Sequence, residues 1–329
     1  TATINVKLVS TGDGTFDMMN VPATLTAENG AIVPAEIELV NGTATATYTI
    51  TTAGDNTLTV NVLGIEDTLS LSSGDVISTE VIYVNATGGS DSNSGVSWSS
   101  AFQTIEKAIS TVDDNGIIYV ADGFYPLADS TSSNGISISK NIAIVGQSVN
   151  AVISGGNTKR IFTIGVGKTL NITNLTLTEG KSSSLGGAIQ IEDGGNTNPV
   201  TQGYLILTDS IISNSNANYG GAIGSNRATI DNIENVTFIN NHASAGGAIY
   251  LQQKGTITIG DNNKFINNSA SGRGSGISAQ AKVTTGKNNL FYGNVATGNY
   301  GYGAICSYGF ELGPANVFVN NRATAGGAL

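Results

Sequence analysis

The first eighty residues contain short runs in which apolar and polar side chains alternate. Such runs occupy residues 4–8, 44–50 and 58–62, and pairs of the Asn-Gly and Gly-Asp type separate them. Period-two alternation between turn-forming pairs is typical of half-buried β-strands. The pattern therefore predicts a small β-sandwich over residues 1–80.

A different pattern occupies residues 81–147. Apolar residues at helical spacing, including Phe102, Ile105 and Ile109, predict one amphipathic helix. The apolar run at residues 117–120, followed by Asp122-Gly123, predicts a strand and a turn. We expect this segment to open the second domain.

Two short motifs recur from about residue 175 to the end of the sequence. The first is Gly-Gly-Ala-Ile or a close variant, beginning at Gly186, Gly220, Gly246, Gly274, Tyr302 (aligned on its Gly303-Ala304-Ile305) and Gly326. The second places an apolar residue three positions before an asparagine and recurs every 26 or 27 residues, at Ile211/Asn214, Phe238/Asn241, Phe265/Asn268, Phe291/Asn294 and Phe318/Asn321. A period of this length predicts stacked coils that bury a shared core against their neighbours.

The repeat pattern sets the expected limits of the coils. We predict repeat coils over residues 148–329, with Glu192 to Gly203 as a loop inserted at one corner. The stacked asparagines are expected to bond to each other and to the backbone rather than to a ligand. The last repeat stops inside a coil at Leu329, which predicts that the sequence belongs to a longer chain.

These motifs resemble known families. The opening residues Tyr83-Val84-Asn85, Gly89–Gly95 and Asn141–Gly146 resemble the start of right-handed parallel β-helix proteins, in which a helix caps the open end of the coil. The two repeat motifs resemble those of polymorphic outer-membrane autotransporters, and residues 20–65 resemble bacterial immunoglobulin-like repeats. The complete arrangement resembles the adhesin-like surface proteins of methanogenic archaea.

The resemblance implies an all-β fold in two parts. An immunoglobulin-like spacer is expected over residues 1–80, followed by a single-stranded right-handed parallel β-helix over residues 81–329. Within the helix, residues 81–147 would form the opening and its capping helix. The implied function is that of a cell-surface adhesin fragment that attaches to other cells or their glycans without chemistry.

Composition excludes several classes of function. With one His and one Cys in 329 residues, the chain lacks the ligands for a zinc, iron or copper cluster, and no cofactor is predicted. The net charge of -10 argues against nucleic acid as a partner, because nucleic acid is held by clustered Lys and Arg. Ten acidic residues and one lysine lie in residues 1–80, which supports a domain boundary there. No apolar run is long enough to predict membrane insertion.

A candidate binding strip follows from the alternation within each coil. If Ile189, Ile249 and Leu251 face the core, their neighbours face outward. Stacked coils would then expose a column of small residues at Ala188, Ala222, Ala248, Gly276 and Ala304. Amides and tyrosines would edge this column, and they suit sugar hydroxyls and sugar C–H faces; the predicted ligand-binding residues are Gln190, Tyr250, Gln252, Gln280 and Tyr308. A plain solvated sheet face is the alternative interpretation.

A weaker set of candidates concerns catalysis. Glu234 and Asp261 fall at the same position of adjacent coils, with Lys287 in the next coil. Two carboxylates about 5 Å apart could act as a retaining glycosidase pair, or could seat calcium. A solvated corner with a salt bridge explains the same three residues, and we expect no enzyme activity.

The sequence-based conclusion is an extracellular adhesin fragment, on the cell surface or associated with the cell wall. Its expected partners are surface glycans or proteins of another cell. Two other classes remain open: a polysaccharide lyase or glycoside hydrolase of β-helix type, and a purely structural cell-wall rod. Six Asn-x-Ser/Thr sequons favour an exported location. They lie at Asn41, Asn85, Asn171, Asn174, Asn235 and Asn267.

Overall fold

The chain separates into two compact units, Thr1–Ser78 and Thr79–Leu329. The computed structural model describes residues 2–7, 21–27, 30–33, 36–39, 43–50, 56–62, 65–71, 80–195, 201–253, 255–298 and 302–327. The turn-forming pairs Asn41-Gly42 and Gly54-Asp55 lie outside these residues.

The described part of the first unit consists of antiparallel β-strands. The strands are β1 (Ala2–Lys7), β2 (Val21–Ala27), β3 (Gly30–Val33), β4 (Glu36–Leu39), β5 (Thr43–Ile50), β6 (Asn56–Val62) and β7 (Ile65–Leu71). They form two sheets, with orders β1-β5-β3 and β4-β2-β6-β7. Ala23 and Leu25 are buried while Thr24 is exposed, as the alternation predicts. The immunoglobulin-like assignment of this unit stays a prediction.

The second unit opens with strands around one short helix. The elements are β8 (Val81–Val84), α1 (Ile105–Thr111), β9 (Gly116–Val120), β10 (Gly123–Pro126), β11 (Ile136–Ile138), β12 (Ile142–Gly146), β13 (Ala151–Ser154), β14 (Phe162–Ile164), β15 (Thr169–Thr173) and β16 (Thr176–Thr178). A 3₁₀ turn spans Trp98–Ser100. The predicted amphipathic helix is confirmed as α1, whose Ile105, Ala108 and Ile109 are buried.

The remaining strands belong to the repeats. They are β17 (Ile189–Ile191), β18 (Tyr204–Thr208), β19 (Ile211–Ser213), β20 (Asn216–Tyr219), β21 (Ile223–Ser225), β22 (Ile230–Glu234), β23 (Thr237–Ile239), β24 (His242–Ala245), β25 (Ile249–Leu251), β26 (Ile257–Ile259), β27 (Lys264–Ile266), β28 (Ser269–Arg273), β29 (Ile277–Thr285), β30 (Leu290–Tyr292), β31 (Val295–Ala296), β32 (Ile305–Leu312), β33 (Val317–Val319) and β34 (Arg322–Ala323). Strands in neighbouring coils pair in parallel.

Three sheets form the walls of the coil. The first has eight strands, in the order β10-β13-β16-β19-β23-β27-β30-β33. The second has five strands, β20-β24-β28-β31-β34, and the third has fourteen, because the long strand β29 joins two runs of parallel strands. This arrangement is a parallel β-solenoid. The predicted all-β fold is confirmed at that level.

A column of phenylalanines fills the core of the repeats. The rings of Phe238, Phe265, Phe291 and Phe318 stack with centroids 4.8, 4.6 and 4.6 Å apart. The first three are fully buried. These distances match the spacing of adjacent strands in a sheet, about 4.8 Å. The repeat of about 27 residues therefore places equivalent side chains directly above one another.

Beside this column runs a ladder of buried asparagines. The Asn241 backbone N–H donates to Asn268 Oδ1 at 3.0 Å, and Asn268 N–H donates to Asn294 Oδ1 at 2.9 Å. Each ladder amide also donates to the carbonyl of the core residue one coil back: Asn268 Nδ2 donates to Phe238 O at 2.9 Å, and Asn241 Nδ2 donates to Ile212 O at 2.9 Å. The amides thus satisfy buried backbone groups at a corner of each coil, which is the structural role predicted for them.

The predicted alignment of the first repeat is wrong by one residue. Ile212, not Ile211, pairs with Phe238, and Ser215, not Asn214, donates its N–H to Asn241 Oδ1. Asn214 has a φ of 51°, which aligns it with Asn240 and Asn267, at 56° and 51°. Asparagine tolerates this left-handed conformation better than most residues. Two adjacent positions of the repeat therefore contain asparagine for different reasons, one for its left-handed backbone and the other for its ladder hydrogen bonds.

Candidate functional site

The predicted outward column of small residues is not a flat exposed strip. Ala188, Ala222, Ala248 and Ala304 are all fully buried, so the prediction that they face solvent is wrong. They lie where the chain passes from the five-stranded sheet into the fourteen-stranded sheet. The corner there is folded tightly enough to enclose them.

Glycine at the start of five of the six motifs makes this corner possible. Gly246 and Gly274 have φ angles of 63° and 59°, in the left-handed region that glycine adopts without strain. A Cβ at Gly246 would lie 2.2 Å from the Ile249 carbonyl oxygen. The tight turn brings the outer faces of the two sheets towards each other. As a result Tyr250, which alternates with core-facing Ile249 and Leu251, is only 7% exposed.

A groove of about 360 Å³ follows this corner across four coils. We call it the tyrosine groove. Its lining residues are Tyr219, Ser244, Ala245, Tyr250, Ser271, Gly272, Arg273, Ser278, Ala279, Gln280, Gly298, Cys306, Ser307 and Tyr308. Strands β20, β24 and β28 supply one wall, and β25, β29 and β32 supply the other.

Aromatic rings lie at two places in the tyrosine groove. Tyr219 and Tyr250, from adjacent coils, have ring centroids 4.9 Å apart. Tyr308 lies two coils further along and is 79% exposed. Gln280 and Ser278, both on β29, lie between these rings in the stack of coils. The groove therefore combines aromatic faces with hydroxyl and amide groups.

One cation dominates the electrostatics of the groove. Arg273 is exposed at the end of β28, and its guanidinium carbon lies 5.9 Å from the centroid of the Tyr302 ring. Burial raises the pKa of Tyr250, as does Tyr219, while Arg273 acts in the opposite direction. Burial also raises the pKa of the Cys306 thiol, against the effect of Arg273. The phenol and the thiol are therefore both protonated at neutral pH.

The structure brings together three of the five predicted ligand-binding residues. Tyr250, Gln280 and Tyr308 line the groove, whereas Gln190 and Gln252 do not. Gln190 lies in the same cross-strand column as Tyr250, two strands away, with Gly224 between them. Sequence reasoning missed Tyr219 and Arg273, which precede the glycine turn and belong to the opposite wall. Their proximity to the glycine motifs was the available signal.

The candidate catalytic residues lie at a different corner, between the fourteen-stranded and eight-stranded sheets. Asp261 is engaged by Lys287: its Oδ1 accepts the Lys287 backbone N–H at 2.9 Å, and its Oδ2 lies 3.4 Å from Lys287 Nζ. Glu234 is exposed and lines a shallow cavity of about 420 Å³ with Asp209, Asn235 and others. A catalytic or calcium-binding role for Glu234 and Asp261 stays a prediction.

The inserted loop is closed at its base. An isolated bridge pairs Asp193 with Gln202, and the Gly203 N–H donates to the Glu192 carbonyl at 2.8 Å. Arg227 lies 3.5 Å from Asp193 and ties the loop to the next coil. Residues 196–200, at the tip, lie outside the described residues.

In the described ranges, no helix is long and apolar enough to cross a membrane. No group of three or more His, Cys, Asp or Glu side chains, among the residues that the structure covers, is placed to hold a metal ion.

Comparisons with known proteins give one likeness, in fold. No family model matches the chain, and no curated protein matches it. The chain is similar to a solved structure described as a rhamnogalacturonan lyase, with 15% sequence identity and a TM-score of 0.41. The likeness covers 72% of this chain and 62% of that chain, so the sequence spans less than two thirds of that protein.

This comparison corrects one prediction. The chain was expected not to be an enzyme, and the solved structure that it resembles in fold is named as a lyase. The exclusion of enzyme activity is therefore withdrawn. At 15% identity the likeness concerns the fold alone, and any activity must be argued from the residues of this chain.

Proposed function

We propose that the solenoid binds a polysaccharide chain along the tyrosine groove. The observation that carries this proposal is the joint presence of Tyr250, Gln280 and Tyr308 along one concave corner. Coils stack about 4.8 Å apart, so four coils present about 14 Å of groove. That length suits a short run of sugar units lying parallel to the solenoid axis.

The chemistry of the groove supports a sugar ligand. Aromatic rings pack against the C–H faces of sugar rings, while amide and hydroxyl groups exchange hydrogen bonds with sugar hydroxyls. Tyr308 is 79% exposed, so its ring is accessible from solvent. The small residues Gly272, Ala245 and Gly298 let an extended ligand approach the backbone of the groove.

We further propose that binding serves attachment to a cell or its glycans, in an extracellular setting. The support for this setting is the resemblance of the repeats to those of surface adhesins, together with the six glycosylation sequons. The most specific form of this proposal is that the chain belongs to an adhesin-like surface protein of a methanogenic archaeon, which is what the resemblance of its motifs implies. A structural rod would need no such groove.

Cleavage of the bound chain is a second candidate function. The observation that favours it is that the Tyr250 phenol and the Arg273 guanidinium line the same groove. The balanced step is hydrolysis: the protonated phenol gives its proton to the departing sugar oxygen as the C–O bond breaks, water attacks the sugar carbon, and the proton that the water loses returns to the phenolate. The test is to incubate the protein with bound polysaccharides and to measure new chain ends. Products from the parent and not from Tyr250→Phe would support cleavage.

The binding proposal is tested with matched tyrosine variants. We expect Tyr308→Ala to weaken binding to glycans identified on an array by about 1 to 3 kcal/mol, as loss of an aromatic anchor does. Tyr292→Ala is the control, because Tyr292 is 41% exposed on β30, away from the groove. Calorimetry measures both. Equal affinities of parent and Tyr308→Ala for every bound glycan would contradict the proposal.

A further inference from the structure

The tyrosine groove has a definite electrostatic sign. Among the described residues that line it, Arg273 is the one charged side chain. The chain as a whole carries a net charge of -10. The groove is therefore a local positive site on an acidic protein.

The acidic side chains that form ion pairs do so elsewhere. Within the described part of the chain, the ion pairs join Arg227 to Asp193, Lys282 to Glu311 and Lys287 to Asp261. Arg273 has no carboxylate within 4 Å among those residues, and its described partner is the ring of Tyr302. Contact with an aromatic face holds a guanidinium in place and leaves its N–H groups available to an anion.

From these observations we infer that the groove selects a polysaccharide with an anionic substituent, held by Arg273. This inference rests on the proposed function. A guanidinium donates two parallel hydrogen bonds to a carboxylate, and it binds the oxygens of a sulfate ester in a similar way. The exposed ring of Tyr308 would hold a sugar ring next to the charged group. The ligand class is therefore an acidic glycan, a uronate polymer or a sulfated polymer.

The charge of the protein makes this selection local. An overall negative charge repels an acidic polymer, and salt screens that repulsion over about 8 to 10 Å. The contact at Arg273 is short and less affected by salt. An acidic glycan whose anionic group does not reach Arg273 should therefore bind weakly. The groove would distinguish acidic glycans by where along the chain their charged groups lie.

The test compares three polymers with the parent protein: a uronate polymer, the same polymer with its carboxyl groups methyl-esterified, and a sulfated polymer. We expect at least one of the two anionic polymers to bind about tenfold more tightly than the ester, the effect of a charged hydrogen bond. A higher affinity for the uronate or for the sulfated polymer identifies which anion the groove takes. Either preference supports the inference.

Two arginine variants localise the effect. Arg273→Gln should abolish the preference for the anionic polymer over the ester, because it removes the guanidinium and keeps a polar side chain at the same position. Arg322→Gln makes the same charge change at an exposed arginine of the same five-stranded sheet, outside the groove, and should keep the preference. Thermal melting of both variants checks that they are folded.

The outcomes separate the two proposals. Equal binding of charged polymer and ester, unchanged in Arg273→Gln, would overturn the inference while the binding function stands. Loss of the preference in both arginine variants would also overturn it, because net charge and not position would then be responsible. Absence of binding to any polymer would contradict the proposed function itself, and with it the inference.

Discussion

Each repeat turns two corners around the five-stranded sheet, and the two corners differ in what they keep constant. At the first corner, Asn241, Asn268 and Asn294 occupy one position in successive coils, and each makes the same hydrogen bonds. At the second corner the glycine turn recurs, but the outward column changes from coil to coil. Its members are Gln190, Gly224, Tyr250, Ser278 and Cys306.

The difference separates the residues that build the coil from those that distinguish one coil from another. A ladder amide must satisfy buried backbone groups in every coil, so the same side chain is needed each time. The outward column beside the glycine turn carries no such requirement. Its variation gives the groove Tyr250 in one coil and small residues in others, and we place recognition there.

The stacked phenylalanines belong to the part of the coil that stays constant. Phe265 is fully buried, with its ring between those of Phe238 and Phe291. We expect Phe265→Ala to lower the free energy of unfolding by about 3 to 5 kcal/mol, as truncation of a buried aromatic side chain does. Denaturant unfolding measures it. Phe124→Ala, at a 57% exposed ring, is the control and should change stability little; equal losses would show that the stacked column carries no special weight.

The ladder is the next target. Asn268→Ala removes the partner of the Asn241 N–H and of the Phe238 carbonyl, both in the buried corner. Each buried group left unpaired costs about 1 to 3 kcal/mol. The control is the adjacent Asn267→Gly, because Asn267 is exposed and has a φ of 51°, which glycine adopts freely. If the two variants unfold at the same denaturant concentration, the ladder bonds are not stabilising.

The glycine turn gives a smaller loss at the second corner. We expect Gly246→Ala to destabilise the fold by about 1 to 2 kcal/mol from its left-handed backbone alone. The new Cβ would also meet the Ile249 carbonyl oxygen. Gly309→Ala serves as the control, since nothing lies within 4 Å of a Cβ at that position. A stable Gly246→Ala variant with unchanged glycan binding would show that the turn does not shape the groove.

The constant corner could be predicted from sequence to a large extent. The repeat of 26 or 27 residues correctly predicted the stack of Phe238, Phe265 and Phe291. Phenylalanine that recurs at one interval has one simple explanation, which is that the rings lie above one another in successive coils. The predicted alignment of the first coil is wrong, because Ser215 takes the place of asparagine in the ladder. The neighbouring Asn214 occupies the left-handed turn. A side chain chosen for a hydrogen bond and one chosen for backbone conformation look alike in sequence.

A second asparagine ladder was not predicted, because its members stand next to asparagines that take the left-handed conformation. The Asn263 N–H donates to Asn289 Oδ1 at 2.8 Å, and Asn289 N–H donates to Asn316 Oδ1 at 2.8 Å. The asparagine doublets at 262–263 and 288–289 were the available signal. In each doublet the first residue takes the left-handed conformation and the second joins the ladder.

The groove was predictable only in part. Alternation correctly placed Tyr250 outside the core, but alternation carries no information on the angle between two sheets. The glycine turns set that angle. Because of it, the strip that was expected to face outward lies in a concave corner, where Tyr250 is nearly enclosed. Arg273 belongs to the facing wall, so no single strand pattern could have joined it to Tyr250.

The titration of Tyr250 measures how enclosed the variable corner is. Burial, with a contribution from Tyr219, raises the pKa of Tyr250 above its usual value of 10.0 in the folded protein. The unfolded chain therefore loses this phenolic proton at a lower pH than the folded chain, so ionisation favours unfolding. The stabilising contribution is complete below about pH 10 and is lost as the pH rises through the folded pKa. We expect the parent to lose more stability than Tyr250→Phe between neutral pH and pH values above 10, in denaturant titrations of both proteins. The same alkaline loss in parent and variant would show that the Tyr250 hydroxyl is not shielded from water by the corner.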